Sequence, residues 1–123
     1  MKLRIKGNSV RLRLSKWEVE RFAKEGILQE TTNFGNHMLS YTVKSTEEKT
    51  MTATLTQAGI TLLVPSMQLM QWAGSNPQVG ISQKMDIGNN ETLSLLLEKD
   101  FKCIDANPED DQEDFFENPD KVC

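Results

Sequence analysis

Hydrophobic and polar side chains alternate along most of the chain, a pattern typical of half-buried β-strands. In residues 1–14 the alternation is interrupted at Gly7-Asn8, a pair that favours a two-residue hairpin loop. Such a loop pairs Ile5 with Val10 and continues the register along both strands. Six further strands are predicted at 27–33, 38–45, 50–56, 60–64, 78–86 and 92–101.

Two short stretches have helical rather than alternating periodicity. The first follows Ser15, which together with Glu18 forms a capping-box pattern, and it ends at Gly26. The second opens at Pro65-Ser66 and is closed by Gly74. The sequence therefore predicts the order hairpin, helix, hairpin twice over.

The two halves also match by position. A shift of 50 residues places Leu12 on Leu62 and Phe22 on Trp72. This indicates an internal duplication, with pseudo-repeats at about 1–46 and 50–101. The alternative is a chance similarity between two amphipathic units.

We expect an α+β fold with about eight mostly antiparallel strands and two short helices. Two arrangements remain open, either two packed sheets or one strongly curled sheet that closes toward a barrel. The length suits one domain, which we place at 1–103, followed by an acidic and weakly ordered tail at 104–123.

The charged residues of the first hairpin are sorted onto one face. The predicted register places arginine opposite arginine and lysine opposite arginine, although like charges facing each other across strands are destabilising. An anion is therefore expected nearby, and the candidate anion- or partner-binding residues are Lys2, Arg4, Lys6, Arg11 and Arg13.

The net charge of −4 conceals an uneven distribution. Residues 1–25 carry eight basic and three acidic residues, whereas residues 104–123 carry eight acidic residues and one lysine. Phe115 and Phe116 are unusual in so acidic a segment and are candidate docking residues. Three readings stay open: a solvated basic face, a face covered by the chain's own tail, or a face that binds an external acidic protein segment or small anion.

The composition gives little support to other classes of function. The acidic pI of about 5.0 and the lack of interleaved aromatic residues argue against nucleic acid. No membrane span, secretory signal, metal-ligand pattern or cofactor motif is recognisable, so we expect a cytoplasmic protein without metal or cofactor.

Cys103 and Cys123 are read as free thiols, with a disulfide as the alternative. Glu98 and Asp100 fit a carboxylate pair or partners for neighbouring Lys or Arg residues.

The two ends of the chain resemble a known family. The opening MKLRIKGNSVRLRLS and the closing LLLEKDFKC followed by EDDQEDFFENP look like the signature ends of a small bacterial family, a conserved domain of unknown function. The resemblance implies a compact cytoplasmic domain and supplies no activity.

A second resemblance concerns architecture. Doubled antiparallel units with basic strand faces are similar to the triphosphate tunnel (CYTH-like) enzymes, which bind polyphosphate inside a barrel lined with Lys, Arg and Glu. Their first strand carries alternating glutamates, whereas this chain has Lys2, Arg4 and Lys6 there. The resemblance therefore extends to shape alone.

Together these observations favour a small binding or interaction module with an anion-attracting hairpin face, and no catalytic residue is assigned. The alternative is an enzyme that acts on a phosphorylated or polyanionic small molecule in a curled-sheet cavity.

Overall fold

The structure, a computed structural model, describes residues 1–74 and 78–101. It contains the eight strands and two helices expected from the sequence. In chain order they are β1 (Lys2–Lys6), β2 (Ser9–Leu14), α1 (Lys16–Glu25), β3 (Ile27–Asn33), β4 (Met38–Thr46), β5 (Thr52–Thr56), β6 (Gly59–Pro65), α2 (Ser66–Ala73), β7 (Gly80–Gly88) and β8 (Glu91–Lys99).

The strands form two four-stranded sheets. Sheet A has the order β1-β2-β8-β7, and sheet B has the order β3-β4-β6-β5. Each hairpin is antiparallel, but the central pairs, β2 with β8 and β4 with β6, are parallel. Four of the six strand pairings are thus antiparallel, as the sequence predicted, and the two parallel pairings make both sheets mixed.

The repeated unit predicted from the sequence is apparent in this topology. The first hairpin of each half joins the second hairpin of the other half, so sheet A and sheet B have equivalent strand orders. Equivalent backbone hydrogen bonds join the two central strand pairs. Ser94 N donates to Asn8 O at 3.0 Å, and Ser40 N donates to Ala58 O at 3.1 Å.

The expectation of a curled or barrel-like sheet is wrong. Each sheet is open and has two edge strands, β1 and β7 in sheet A and β3 and β5 in sheet B. The physical reason lies in the helices, because α1 carries the chain from β2 in sheet A to β3 in sheet B. The two hairpins that flank each helix consequently belong to different sheets and do not pair into one closed surface.

Both sheets and both helices contribute to one cluster of buried side chains. Phe22 of α1 and Trp72 of α2 are fully buried at corresponding positions, and Leu12 and Leu62 are also buried. Leu55 is an apolar residue outside this cluster, since 78% of it is exposed near the end of edge strand β5.

Helix α1 has the capping box that the sequence predicted. The Ser15 hydroxyl accepts a hydrogen bond from Glu18 N at 3.3 Å, and the Glu18 carboxylate accepts one from Ser15 N at 2.8 Å. Glu18 also accepts from the Met1 amino group. Burial raises the pKa of Glu18, but these hydrogen bonds and the nearby positive charge outweigh it, so the pKa lies below its ordinary value.

Helix α1 ends at Gly26, whose φ of 77° is the left-handed conformation that favours glycine. Helix α2 begins at Ser66, and its N-cap residue, Pro65, makes no side-chain hydrogen bond to the helix. Neither of these described helices is long and apolar enough to cross a bilayer.

Candidate functional site

The first hairpin has the predicted register. Lys2 lies opposite Arg13, and Arg4 lies opposite Arg11, while Lys6 pairs with Ser9 beside the loop. Strand alternation places these cations on the outer face of sheet A, away from the buried Leu12 and Leu14. We call Lys2, Arg4, Lys6, Arg11 and Arg13 the basic face.

The parallel pairing of β2 with β8 extends this surface across the whole sheet. Three transverse rows of side chains run from β1 to β7. They are Lys6–Ser9–Ser94–Lys84, Arg4–Arg11–Leu96–Ser82 and Lys2–Arg13–Glu98–Gly80. The first row has a cation at each end and two hydroxyl groups between them.

The third row is an ion-pair cluster. The Glu98 carboxylate accepts hydrogen bonds from Arg13 Nε at 2.6 Å and from Arg11 Nη1 at 3.4 Å. Its side chain is 15% exposed, and those of Arg11 and Arg13 are 25% and 32% exposed. At the edge of this row, Lys2 Nζ lies 2.9 Å from the Asp100 carboxylate. Glu98 and Asp100 therefore serve as partners for neighbouring basic residues, one of the two roles expected of them.

The first and second rows border an open depression of about 580 Å³. Its charged lining consists of Arg4, Lys6, Arg11 and Lys84, and hydroxyl groups are supplied by Ser9, Ser82 and Ser94. Arginine forks and lysine ammonium groups recognise oxyanions, and serine hydroxyls add neutral donors. The lining is therefore suited to a ligand with more than one anionic group.

The residues that β7 and β8 contribute to this site are not identified by the sequence pattern alone. Lys84, Ser82 and Ser94 come from β7 and β8, which are distant in sequence from the first hairpin. Their polar alternation opposite Ile81 and Leu95 was a usable signal, because it marks an outward face. The pairing that brings this face beside β2 is not contained in a local pattern.

The other residues with potential chemical or binding roles lie either away from this depression or outside the described part of the chain. His37 Nε2 lies 3.2 Å from Gln57 O in an exposed turn of sheet B. No group of three His, Cys, Asp or Glu side chains suited to a metal ion occurs within 1–74 and 78–101. The acidic tail with Phe115 and Phe116, and both Cys103 and Cys123, are not among the residues that the structure describes.

The sequence matches DUF7009, a family of unknown function, over residues 1–120. Searches of curated proteins and of solved structures found no match. The resemblance to a domain of unknown function is thus confirmed, whereas no similarity to the triphosphate tunnel enzymes is shown. Because the match covers nearly the whole chain, the protein belongs to the DUF7009 family.

Proposed function

We propose that the protein is a binding module for a compact polyanionic small molecule, held in the depression on the outer face of sheet A. The observation that carries this proposal is the juxtaposition of Arg4, Lys6, Arg11 and Lys84 around one open cavity of ligand size. Clustered cations repel each other, so a surface that contacts only solvent gains no stability from placing four of them around one depression.

The arrangement of charges supports a ligand with several anionic groups. Lys6 and Lys84 lie on the two edge strands, three interstrand spacings or about 14 Å apart at the backbone. Arg4 and Arg11 face each other in the next row. A single small anion spans only part of this surface, whereas a molecule with two or more phosphate groups meets cations on both sides.

The like-charge pair also favours an anionic ligand on energetic grounds. Directly opposed like charges destabilise a strand pair by roughly 0.2–1 kcal/mol. Glu98 offsets part of this repulsion, since it accepts hydrogen bonds from both Arg11 and Arg13. A bound polyanion would add negative charge next to Arg4 and Arg11 and would stabilise the folded chain by linkage.

A second candidate is an enzyme that acts on the same class of molecule. The observation that favours it is the Glu98 carboxylate, which lies one row away from the depression and accepts hydrogen bonds from Arg13 and from Arg11, a lining residue. A carboxylate in such a position is a candidate general base. Release of inorganic phosphate from tripolyphosphate, measured over hours, would support this candidate, and its absence would support the binding module.

The proposal is tested by calorimetric titration of the full chain with inorganic tripolyphosphate at low ionic strength. We expect saturable binding that weakens as salt is added. Arg11→Ala should weaken it about tenfold or more, since a charge-assisted hydrogen bond is worth roughly 1.5–3 kcal/mol. Thr61→Ala, at the corresponding position of sheet B, is the matched control and should bind like the parent. Equal affinity of the Arg11→Ala and Thr61→Ala variants, or no binding at all, would overturn the proposal.

A further inference from the structure

We propose that the acidic segment 104–123 occupies the basic face of its own chain and competes there with the anionic ligand. This inference rests on the proposed function, because it assigns a regulator to the same site. Four observations support it: the sign of the charges, the point at which β8 leaves sheet A, the length of the segment, and the apolar Leu96 in the lining of the depression.

The charges of the segment and the face are complementary. Residues 104–123 include eight acidic residues and a single lysine. The face that they would cover carries Lys2, Arg4, Lys6, Arg11 and Arg13 on one hairpin. Carboxylates bind arginine forks in the same bidentate manner as phosphate oxygens, so the segment can mimic the ligand.

The course of β8 brings the chain to this face. Asp100 N, directly after β8, donates to Leu14 O at the end of β2 at 2.9 Å. The Asp100 carboxylate lies 2.9 Å from Lys2 Nζ. The chain therefore leaves sheet A next to the basic face, and its first acidic residue after the strand already pairs with a cation of that face.

The acidic segment 104–123 is long enough to reach across the basic face. The strand from Lys2 to Lys6 spans about 13 Å, whereas the nine peptide units from Phe101 to Asp110 reach up to about 30 Å when extended. A tether of this length produces an effective concentration on the order of millimolar. Even weak individual contacts therefore give substantial occupancy of the face.

Apolar residues also line the depression, and Leu96 is the one on its outward face. Leu96 lies in the second row between Arg11 and Ser82 and is half-buried. Phe115 and Phe116 supply apolar groups in the middle of the acidic segment. Docking of these rings against Leu96 would distinguish this segment from a stretch of acidic residues alone.

Affinity for tripolyphosphate tests the competition in the full chain. The tail variant carries Asp110→Asn, Asp111→Asn and Asp114→Asn. The control variant carries Glu20→Gln, Glu47→Gln and Glu48→Gln, three exposed positions that do not line the depression and that change the net charge equally. We expect the tail variant to bind at least fivefold more tightly than the parent, and the control variant to stay within twofold.

The outcomes separate the two proposals. If all three proteins bind tripolyphosphate with equal affinity, the competition is refuted and the binding function stands. If both variants tighten equally, the effect is one of net charge and the competition is again refuted. If none of the three binds, the proposed function itself fails.

A second measurement detects the contact without any ligand. Zero-length carbodiimide coupling of the full chain, followed by peptide mass spectrometry, joins amines and carboxylates that are in contact. We expect links from Lys2 or Lys6 to acidic residues of 104–123 in the monomer fraction. Links confined to covalent dimers would assign the tail to a second copy, and links absent from Lys2 and Lys6 would refute the contact; either result overturns the inference.

Discussion

The outer faces of the two sheets occupy equivalent places in the repeated fold but differ in chemistry. Where sheet A has Arg4 opposite Arg11, sheet B has Thr54 opposite Thr61. Where sheet A ends a row in Lys84, sheet B has Thr31. The three rows of sheet B are Thr56–Gly59–Ser40–Thr31, Thr54–Thr61–Thr42–Gln29 and Thr52–Leu63–Lys44–Ile27.

The inner faces of the two sheets, in contrast, keep the same character. Phe22 and Trp72 are both fully buried, as are Leu12 and Leu62 to within 1%. The fold therefore requires apolar residues inside and accepts either threonine or arginine outside. Since sheet B reaches the same strand order without the four cations of the depression, the fold does not require them, which supports the proposed binding function.

The largest expected loss of stability tests whether the two helices contribute equally to the hydrophobic core. Phe22→Ala and Trp72→Ala should each lower the free energy of unfolding by about 3–5 kcal/mol, because each leaves a cavity under a helix. Urea denaturation measures both, with Phe22→Leu and Trp72→Leu as milder variants in case the alanine proteins do not fold. A loss under 1 kcal/mol at one position only would show that the halves are not equivalent inside.

The next effect concerns the first residue of β6, a position at which the two halves differ. Gly59 has a φ of 139°, and a Cβ there would lie 1.8 Å from Ser40 O, whereas the corresponding residue of β2 is Ser9. Gly59→Ala combines backbone strain with a clash against backbone, so we expect a loss of about 2–4 kcal/mol. Gly88→Ala, at a φ of 94° with no atom within 4 Å of the new Cβ, should lose about 1–2 kcal/mol from strain alone. Equal losses in thermal or urea unfolding would contradict this account.

Exchange of residues between the two outer faces tests the comparison directly. Arg4→Thr with Arg11→Thr should abolish most tripolyphosphate binding, because it removes two of the four cations that line the depression. Thr54→Arg with Thr61→Arg should lower stability at low salt by roughly 0.2–1 kcal/mol, because it places two like charges opposite each other. High salt should shrink this loss, since exposed charges are screened. Unchanged tripolyphosphate binding in the first variant, or a gain of stability in the second, would refute the electrostatic interpretation.

The last expected effect depends on pH and compares the two helix caps. Glu18 completes the capping box of α1, whereas the corresponding Gln68 of α2 has a buried Oε1 that accepts no hydrogen bond from any described residue. Because the pKa of Glu18 is lowered in the folded chain, its carboxylate stabilises the fold above the ordinary value of 4.5, and this contribution disappears as the pH falls through the lowered pKa.

Glu18→Gln should therefore cost about 0.5–1 kcal/mol at pH 7 and progressively less below pH about 4. Unfolding curves across this pH range measure the difference, and Glu20→Gln on the exposed side of the same helix is the control. A loss that is independent of pH would show that charge on Glu18 has no part in it.

The elements of the fold could be predicted from the sequence because their signals are local. Gly7-Asn8 determines the register of the first hairpin, and Ser15 with Glu18 and Gly26 mark the ends of α1. The parallel pairing of β2 with β8 could not be predicted in this way, because it joins segments more than 80 residues apart. For the same reason the basic face was predicted and the contribution of Lys84 was not.

The central claim is that the outer face of sheet A binds anions and the equivalent face of sheet B does not. Titration of the ¹⁵N-labelled full chain with tripolyphosphate, followed by amide chemical-shift mapping, tests it most directly. The account predicts saturable shifts at Arg4, Arg11 and Lys84, with Thr54 and Thr61 unchanged. Shifts of equal size on both sheets, or none on sheet A at saturating ligand, would contradict it.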